Sequence, residues 1–159
     1  RELLHQMTVE YEPIAADNAI RLEANYPPQP VHLRMDAEKI RRAVDNLLTN
    51  AMKFSVKPGT VAVQLVSDSQ LAVLSVENEG EPISEEQEAK LFERFYKADD
   101  ARTGQGFPSG SGLGLSIARS IAWLHGGDIR FSHDSGHFRF CLELLVGDET
   151  HTETEGSSR

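Results

Sequence analysis

The 159-residue sequence has little of several features that mark particular classes of protein. Its single cysteine, Cys141, cannot form an internal disulfide, and its place in the apolar run FRFCLELLV predicts a packed thiol in a reducing compartment. No apolar run approaches the roughly 20 residues that a membrane span needs, so we expect no membrane contact by this segment. Only 16 Lys and Arg stand against 25 Asp and Glu, and this deficit of positive charge argues against a nucleic-acid surface.

The length and composition of the chain are sufficient for one globular domain. Hydrophobic residues make up 39% of the chain and charged residues 26%, which is typical of a soluble folded protein. The chain begins at Arg1 without an initiator Met or a signal-peptide pattern, so we expect a segment of a longer protein. Its last residues, 147–159 (GDETHTETEGSSR), have almost nothing to bury and are predicted to be a disordered acidic tail.

Hydrophobic periodicity and turn residues predict an alternation of helices and strands. Asp36 is the predicted N-cap of the longest helix, and Ser84 with Gln87 predicts a second cap. Leu113, Ile117, Ile121 and Leu124 predict that the last helix is a core helix. The predicted elements are a helix over 2–17, strands over 18–25 and 31–35, a helix over 37–54, a hairpin of 60–66 with 71–78, a helix from 84 to about 96, a glycine-rich polar segment over 98–111, a helix over 112–124, and strands over 127–132 and 137–146.

The long helix over 37–54 has two distinctive faces. Its apolar positions form one predicted buried stripe of Ile40, Val44, Leu47, Ala51 and Phe54. Beside that stripe, at about 100° per residue, Asn46, Asn50 and Lys53 share one face. This trio fits either a solvated helix surface or a ligand site. Chemically it suits a nucleotide, because an amide oxygen can ligate Mg²⁺ while a lysine offsets phosphate charge.

Two other segments also allow a structural and a functional interpretation. Asn78 ends a predicted strand just before the turn at Gly80, where it could cap the turn or read the edge of an adenine. Gly110, Gly112 and Gly114 precede the last helix, where they could be a flexible entry or let backbone N–H groups approach phosphate.

These segments occur in an order that resembles a known family. The stretches NLLTNAMKFS, ENEGEPI, LFERFYK, GSGLGL and HGG resemble the N, first glycine, F, second glycine and end motifs of the catalytic ATP-binding (GHKL-type) domain of two-component sensor histidine kinases. The resemblance covers about residues 18–146. It implies an α+β fold, a two-layer α/β sandwich in which a mixed, mostly antiparallel sheet of about five strands is covered on one face by three helices, with a flexible ATP lid.

The resemblance also implies ligands and roles. The cofactors are ATP and Mg²⁺, with Asn50 as the metal ligand, and residues 98–111 as the lid. The implied catalytic residues are Asn46, Lys53, Lys97 and Arg102, although Arg102 could equally be a solvated loop charge. The implied cofactor-binding residues are Asn46, Asn50, Lys53, Asn78, Gly80, Ile83, Phe95, Gly110, Gly112, Leu113, Gly114 and Leu115. Phe92 matches the F motif with Phe95, where core packing is an equally good reason for an aromatic residue.

Two positions depart from the family pattern. Asn78 replaces the usual adenine-binding aspartate, and Pro82 replaces the second glycine of the same motif. An amide can still accept from the adenine amino group, but the bond lacks the charge assistance of a carboxylate. We therefore expect weaker nucleotide affinity than the family pattern supports, or a nucleotide held partly by water.

Among GHKL-type domains, the residue at the position of Asn46 distinguishes ATP hydrolysis from phosphoryl transfer to a protein. Gyrase-type ATPases carry a water-activating glutamate there, and an amide cannot take up the proton. The resemblance therefore implies transfer of the γ-phosphoryl group to a histidine on a separate dimerisation domain, and none of the six histidines here has that motif's surroundings. Residues 1–17 would be the end of that domain's helix and a linker.

The implied partners are this histidine-bearing domain of the same protein and a response regulator. The segment itself is expected to be monomeric and cytoplasmic, within a homodimeric parent anchored in the bacterial inner membrane. Two alternatives stay open, an anti-sigma-type serine kinase and a nucleotide-poor regulatory module of the same fold.

Overall fold

The structure, a computed structural model, describes residues 1–97 and 112–146. The predicted lid, the acidic tail, Arg102 and Gly110 lie outside these residues. The described elements are α1 (Glu2–Asp17), β1 (Ile20–Asn25), α2 (Ala37–Phe54), β2 (Gly59–Ser67), β3 (Leu71–Glu79), α3 (Glu85–Lys90), α4 (Gly114–Leu124), β4 (Asp128–Asp134) and β5 (His137–Leu145).

The strands form one mixed sheet in the order β1-β2-β3-β5-β4. β1 and β2 are parallel, with α2 in the connection between them, while the other three pairings are antiparallel. The predicted hairpin of β2 and β3 is present, and the Asp68 side chain accepts hydrogen bonds from the backbone N–H groups of Gln70 and Leu71 in its turn. The predicted two-layer sandwich with a mostly antiparallel sheet of five strands is confirmed.

The two faces of the sheet differ, because side chains alternate along each strand. The inner face is apolar and packs under the helices, as Val61, Val63 and Leu65 of β2 do. The outer face is polar and carries the cross-strand ion pair between Arg139 and Glu77, at 2.9 Å.

Cys141 lies on the outer face, opposite Ser75 of β3, and not in the core beneath the helices. It is half-buried there, and this burial raises the pKa of its thiol. A raised pKa keeps the side chain in its unreactive thiol form, in agreement with the predicted lack of reactivity.

The core lies between the inner face and helices α1, α2 and α4. Four residues of the predicted α2 stripe are buried in it, whereas Phe54 is 42% exposed at the end of the helix. In α4, Ile121 is buried, but the prediction that Leu124 is in the core is wrong, because that side chain is 74% exposed. The fully buried positions of α4 are Ala118 and Ala122, whose small side chains let this helix pack closely on α2.

Two predicted elements differ from the structure. Residues 31–35 are not a strand, although their apolar side chains pack partly against the core. The helix predicted from 84 to about 96 ends at Lys90, and Phe95 beyond it has a left-handed φ of 64°. The predicted N-caps are present, since Asp36 accepts from the Lys39 N–H and Ser84 forms a capping box with Gln87.

Helix α1 packs into the same core as the rest of the chain. Its side chains Leu4, Met7 and Ala15 are buried in the shared hydrophobic cluster. Tyr26 also donates a hydrogen bond to the Leu4 carbonyl oxygen, at 3.2 Å. The assignment of residues 1–17 to the end of another domain's helix and a linker stays a prediction. In the part of the chain that the structure describes, no helix combines the length and the apolar character needed to cross a bilayer.

Candidate functional site

A cavity of about 330 Å³ opens at one end of the inner face. It lies where α2 ends, between the loop after β3, helix α3 and the two last strands. Its lining residues are Asn50, Lys53, Phe54, Ser55, Val56, Asn78, Glu81, Pro82, Ile83, Gln87, Leu91, Phe131, Phe138 and Phe140.

The end of α2 supplies one wall of the cavity. Asn50 and Lys53 line this wall, and the Lys53 ammonium group lies 5.3 Å from the centroid of the Phe54 ring. Asn46 stands one helical turn before Asn50 on the same face, as the helical period requires. The three polar residues thus lie beside the apolar stripe at the rim of the core, on the face that the sequence predicts for them.

Asn46 is also approached by the start of α4. A Cβ atom added to Gly114 would lie 3.3 Å from Asn46 Oδ1, which is tighter than ordinary contact. The glycine at this position therefore lets the two helices come together at the cavity's end. Two of the motifs identified in the sequence, far apart along the chain, meet here.

Asn78, which the sequence predicts as a contact to the adenine edge, lies on the inner face of the sheet at the end of β3. Only 4% of this residue is exposed. In residues 1–97 and 112–146, the buried side-chain polar atoms without a hydrogen-bond partner are Asn46 Nδ2 and Asn78 Nδ2. A buried unpaired donor costs about 1–3 kcal/mol, so such groups call for an explanation. Both belong to residues that the sequence predicts as nucleotide contacts, and a polar ligand would satisfy them.

The floor of the cavity is aromatic, which sequence reasoning missed. Phe131 of β4 lies 4.7 Å from Phe140 and 5.8 Å from Phe138, measured between ring centroids. The alternation in DIRFSHD and HFRFCLELL indicates that these rings point inward, but not that they border a cavity. Phe138 and Phe140 are largely buried, and the floor that they form with Phe131 is apolar, which suits contact with a planar ring.

The loop after β3 closes the cavity with its side chains and supports it with its backbone. Ile83 and Pro82 line the cavity, in line with the prediction for Ile83. Gly80 does not line it, because it lies against the floor from behind. A Cβ atom there would be 2.4 Å from Phe138 Cε2 and 2.9 Å from the Phe54 carbonyl oxygen. This glycine is needed for close packing against the floor.

Helix α3 forms a further wall through Gln87. The His133 ring nitrogen Nε2 lies 3.1 Å from Glu88 Oε2, which ties this short helix to β4. The capping box between Ser84 and Gln87 also orders its first turn. The wall is therefore held from both the sheet and its own N-terminus.

The F-motif aromatics lie beside the cavity and do not line it. Phe92 packs edge-on against Phe140, with ring centroids 6.2 Å apart. The Arg119 guanidinium lies 4.8 Å from the Phe92 ring and pairs with Asp128, and this pairing holds the pKa of the Asp128 carboxyl below its usual range. Phe95, by contrast, is 72% exposed. Lys97 is also exposed and outside the lining.

The remaining glycine-motif residues lie at the start of α4. Gly112 has a left-handed φ of 73°, and its carbonyl oxygen accepts a hydrogen bond from the Phe95 N–H at 2.9 Å. Leu113 is the N-cap residue of α4, and Leu115 packs against the core. The described part of the second glycine motif is therefore joined to the F motif through its backbone.

The donor set at the cavity is suited to few metals. The described residues contain no cluster of three or more His, Cys, Asp and Glu side chains that could hold a metal ion. Asn50 offers an amide oxygen at the cavity wall, and Lys53 places a positive charge beside it. Such a site fits Mg²⁺, which is often bound by one or two protein oxygens together with phosphates and water.

Comparison with known proteins gives consistent matches. Residues 35–148 match the family described as histidine kinase-, DNA gyrase B- and HSP90-like ATPase. The chain is 37% identical over 107 residues to the sensor histidine kinase WalK of Bacillus subtilis, covering 66% of this chain and 17% of WalK. It is 34% identical over 134 residues to the sensor histidine kinase CusS of Escherichia coli, covering 84% of this chain and 27% of CusS. The chain thus spans about a quarter or less of these relatives.

Solved structures share the fold. The catalytic domain of histidine kinase ThkA superimposes with a TM-score of 0.77 at 26% identity, covering 91% of this chain and 92% of that chain. A second structure shows ThkA in complex with the response regulator protein TrrA, with a TM-score of 0.75 at 24% identity over 94% of this chain and 41% of that chain.

Proposed function

The chain belongs to the family of histidine kinase-, DNA gyrase B- and HSP90-like ATPases, and from this premise we propose that it is the catalytic ATP-binding domain of a sensor histidine kinase. It would bind Mg-ATP and donate the γ-phosphoryl group to a histidine on a separate dimerisation domain. The observation that carries the proposal is a pair of amide nitrogens buried without a partner among the described residues, Asn46 Nδ2 and Asn78 Nδ2, of which Asn78 lines a cavity with an aromatic floor. The names of its relatives, which are sensor histidine kinases, support the same conclusion.

The cavity suggests how the nucleotide would be held. The purine would lie against Phe131, Phe138 and Phe140, with its edge at Asn78. Its phosphates would extend along α2 towards the N-terminus of α4, where backbone N–H groups favour anions. Lys53 would offset part of their charge. Asn50 is the residue that would hold Mg²⁺, and the bound ion would supply further neutralisation of the phosphate charge.

Asn46 favours transfer to a protein over hydrolysis. The amide at this position has no basic group with which to accept a proton from an attacking water. The chain's residues would then act mainly by positioning the γ-phosphoryl group and steadying its charge. Lys97 and Arg102 are proposed to assist, with residues 98–111 acting as the lid.

The remaining parts of the proposal concern the longer protein. The partners would be the dimerisation domain that carries the histidine and a response regulator, a class of protein with which ThkA has been solved in complex. The domain would act on the cytoplasmic side of the membrane, within a homodimer anchored in the bacterial inner membrane. The matched segments are 17% of WalK and 27% of CusS, and relatives of this length are consistent with such additional domains.

Phosphoryl transfer in trans tests the proposal. Incubated alone with γ-labelled ATP and Mg²⁺, the chain should incorporate almost no label and hydrolyse ATP very slowly. Together with the dimerisation domain of its parent protein, it should label that domain's histidine and release ADP. The product should be acid-labile and base-stable, as expected of a phosphohistidine.

Asn50→Ala is the matched variant for this experiment. It should lose most Mg²⁺-dependent ATP binding and transfer while keeping its thermal unfolding midpoint, because an amide at the core rim contributes little to packing. Calorimetry that finds unchanged Mg-ATP affinity in the variant would refute the metal-ligand assignment. Brisk hydrolysis by the wild-type chain alone would favour a gyrase-like ATPase, and an acid-stable phosphoserine on a partner would favour an anti-sigma-type kinase. Failure of the wild type to bind ATP would favour a nucleotide-poor module.

A further inference from the structure

Asn78 and Pro82 depart from the family pattern and both line the cavity, and of these two residues Asn78 is the buried one. It is 4% exposed, and its Nδ2 atom has no hydrogen-bond partner. Its cross-strand neighbours on the inner face are the apolar residues Val61 and Phe138. The cavity therefore meets an amide that can both donate and accept, at the position where the family pattern has a carboxylate.

The difference between these two groups matters for a purine edge. Adenine presents a donor, its 6-amino group, next to an acceptor, N1. A 6-oxopurine such as hypoxanthine or guanine presents the reverse, an acceptor at O6 next to a donor at N1. A carboxylate only accepts, so it can bond the adenine amino group but repels O6. An amide matches either edge, provided that its oxygen and nitrogen can exchange places.

The surroundings of Asn78 allow that exchange. Among the described residues, no acceptor holds its Nδ2 atom in one orientation, and the oxygen and nitrogen ends of an amide have nearly the same shape. Rotation by half a turn about the last side-chain bond would thus place the donor opposite O6 of a 6-oxopurine.

The rest of the floor adds no discrimination between these bases. Phe131, Phe138 and Phe140 are hydrocarbon rings, and stacking on such rings is tolerant of base identity because every base has a π face. Among the sheet residues that line the cavity, Asn78 is therefore the one with a polar group that can select at position 6 of the purine.

We propose that the site accepts 6-oxopurine nucleotides as well as adenine nucleotides, and that Asn78 is the residue that sets this relaxed specificity. The inference rests on the proposed function, since it requires that the cavity bind a purine nucleotide. It goes beyond that function by naming the class of base that the site admits.

Calorimetric titration of the 159-residue chain with Mg-ADP and Mg-IDP tests the inference. IDP is the probe because it differs from ADP only at position 6 and in the proton on N1. We expect the two dissociation constants of the wild-type chain to agree within about tenfold. In Asn78→Asp, the preference for ADP should rise by about tenfold or more, because one matched pair of hydrogen bonds to a base edge discriminates by this amount.

Asn50→Ala is the control, because Asn50 lies at the α2 wall, and the weakened binding that remains in this variant should keep the wild-type ratio of the two dissociation constants. Wild-type binding of ADP with IDP more than about a hundredfold weaker would overturn the inference and leave the proposed function standing. An unchanged ratio in a folded Asn78→Asp variant would also overturn it. If that variant does not fold, the wild-type ratio alone decides. Failure of the wild type to bind either nucleotide would overturn both the inference and the proposed function.

Discussion

Two rows of side chains cross the same four strands on the inner face of the sheet, and they differ in chemistry. The first, which we name the core row, consists of Leu65, Leu74, Leu142 and Ile129. The second, the cavity row, consists of Val61, Asn78, Phe138 and His133. The rows lie four residues apart along each strand, yet the core row is aliphatic throughout, whereas the cavity row carries an amide and two aromatic rings.

The difference follows from where the helices cover the sheet. In α2, the side chains of one face are buried in the core as far as Met52, while Asn50 and Lys53 on the neighbouring face line the cavity. Buried aliphatic contacts contribute to folding stability in proportion to the area removed from water. An unpaired buried amide costs stability and gains its compensation only with a ligand. The comparison therefore predicts that stability resides in the core row and ligand affinity in the cavity row.

Truncation of the core row should have the largest effect. Leu142 is 1% exposed, so Leu142→Ala leaves a cavity beneath the helices and should lower the free energy of unfolding by about 2–5 kcal/mol. Urea denaturation followed by circular dichroism measures this loss. Asn78→Ala is the matched change in the cavity row, where removal of an unpaired amide should cost far less. Equal losses in the two variants would contradict the comparison.

Gly80→Ala tests the support behind the cavity row. The added Cβ atom would lie 2.4 Å from the Phe138 ring and 2.9 Å from the Phe54 carbonyl oxygen, so the ring or the neighbouring backbone must shift. Overpacking of this kind costs about 1–3 kcal/mol, and we expect nucleotide affinity to fall with it. Denaturation and calorimetry on the same sample measure both quantities.

Gly114→Ala is the control for stability, since its Cβ atom would meet Asn46 Oδ1 at the less severe distance of 3.3 Å. It should destabilise the fold less than Gly80→Ala does. A Gly80→Ala variant with wild-type stability and affinity would show that Phe138 is not held in place by this glycine.

The polar part of the site was predictable because it follows from local periodicity. A helix of 3.6 residues per turn places Asn46, Asn50 and Lys53 on one face wherever that helix lies. Likewise, strand alternation and the turn at Gly80 place Asn78 at a strand end. These predictions need no knowledge of how distant elements pack.

The parts that were missed depend on packing between distant elements. Alternation shows that Phe131, Phe138 and Phe140 point inward, but only the packing of α2 and α3 places a cavity beside those rings. Leu124 continues the apolar period of α4, yet it lies past the edge of the surface that α4 buries. The role of Gly80 as a ligand contact stays a prediction, and its crowding against Phe138 was missed because it arises from strand pairing between β3 and β5.

Substitution of Tyr11 should have the smallest effect on stability, because this residue links α1 to α2 outside both the core row and the cavity row. Its hydroxyl donates a hydrogen bond to Asp45 and lies 3.1 Å from Thr49 Oγ1. Burial and the bond to Asp45 raise the pKa of Tyr11 to about 12. Tyr11→Phe should therefore lower the free energy of unfolding at pH 8 by about 0.5–1.5 kcal/mol without changing nucleotide affinity.

The raised pKa of Tyr11 makes this effect depend on pH in a defined direction. The neutral phenol is favoured in the folded state, so its contribution is complete below the unfolded pKa of about 10 and declines as pH rises towards 12. The difference in unfolding free energy between wild type and Tyr11→Phe should accordingly shrink between pH 9 and pH 11. Tyr26, whose pKa is also raised by burial, is present in both proteins and cancels in the difference. A difference that stays constant over this range would show that the pKa of Tyr11 is not raised by folding, and a change in nucleotide affinity would show that α1 acts on the cavity row through α2.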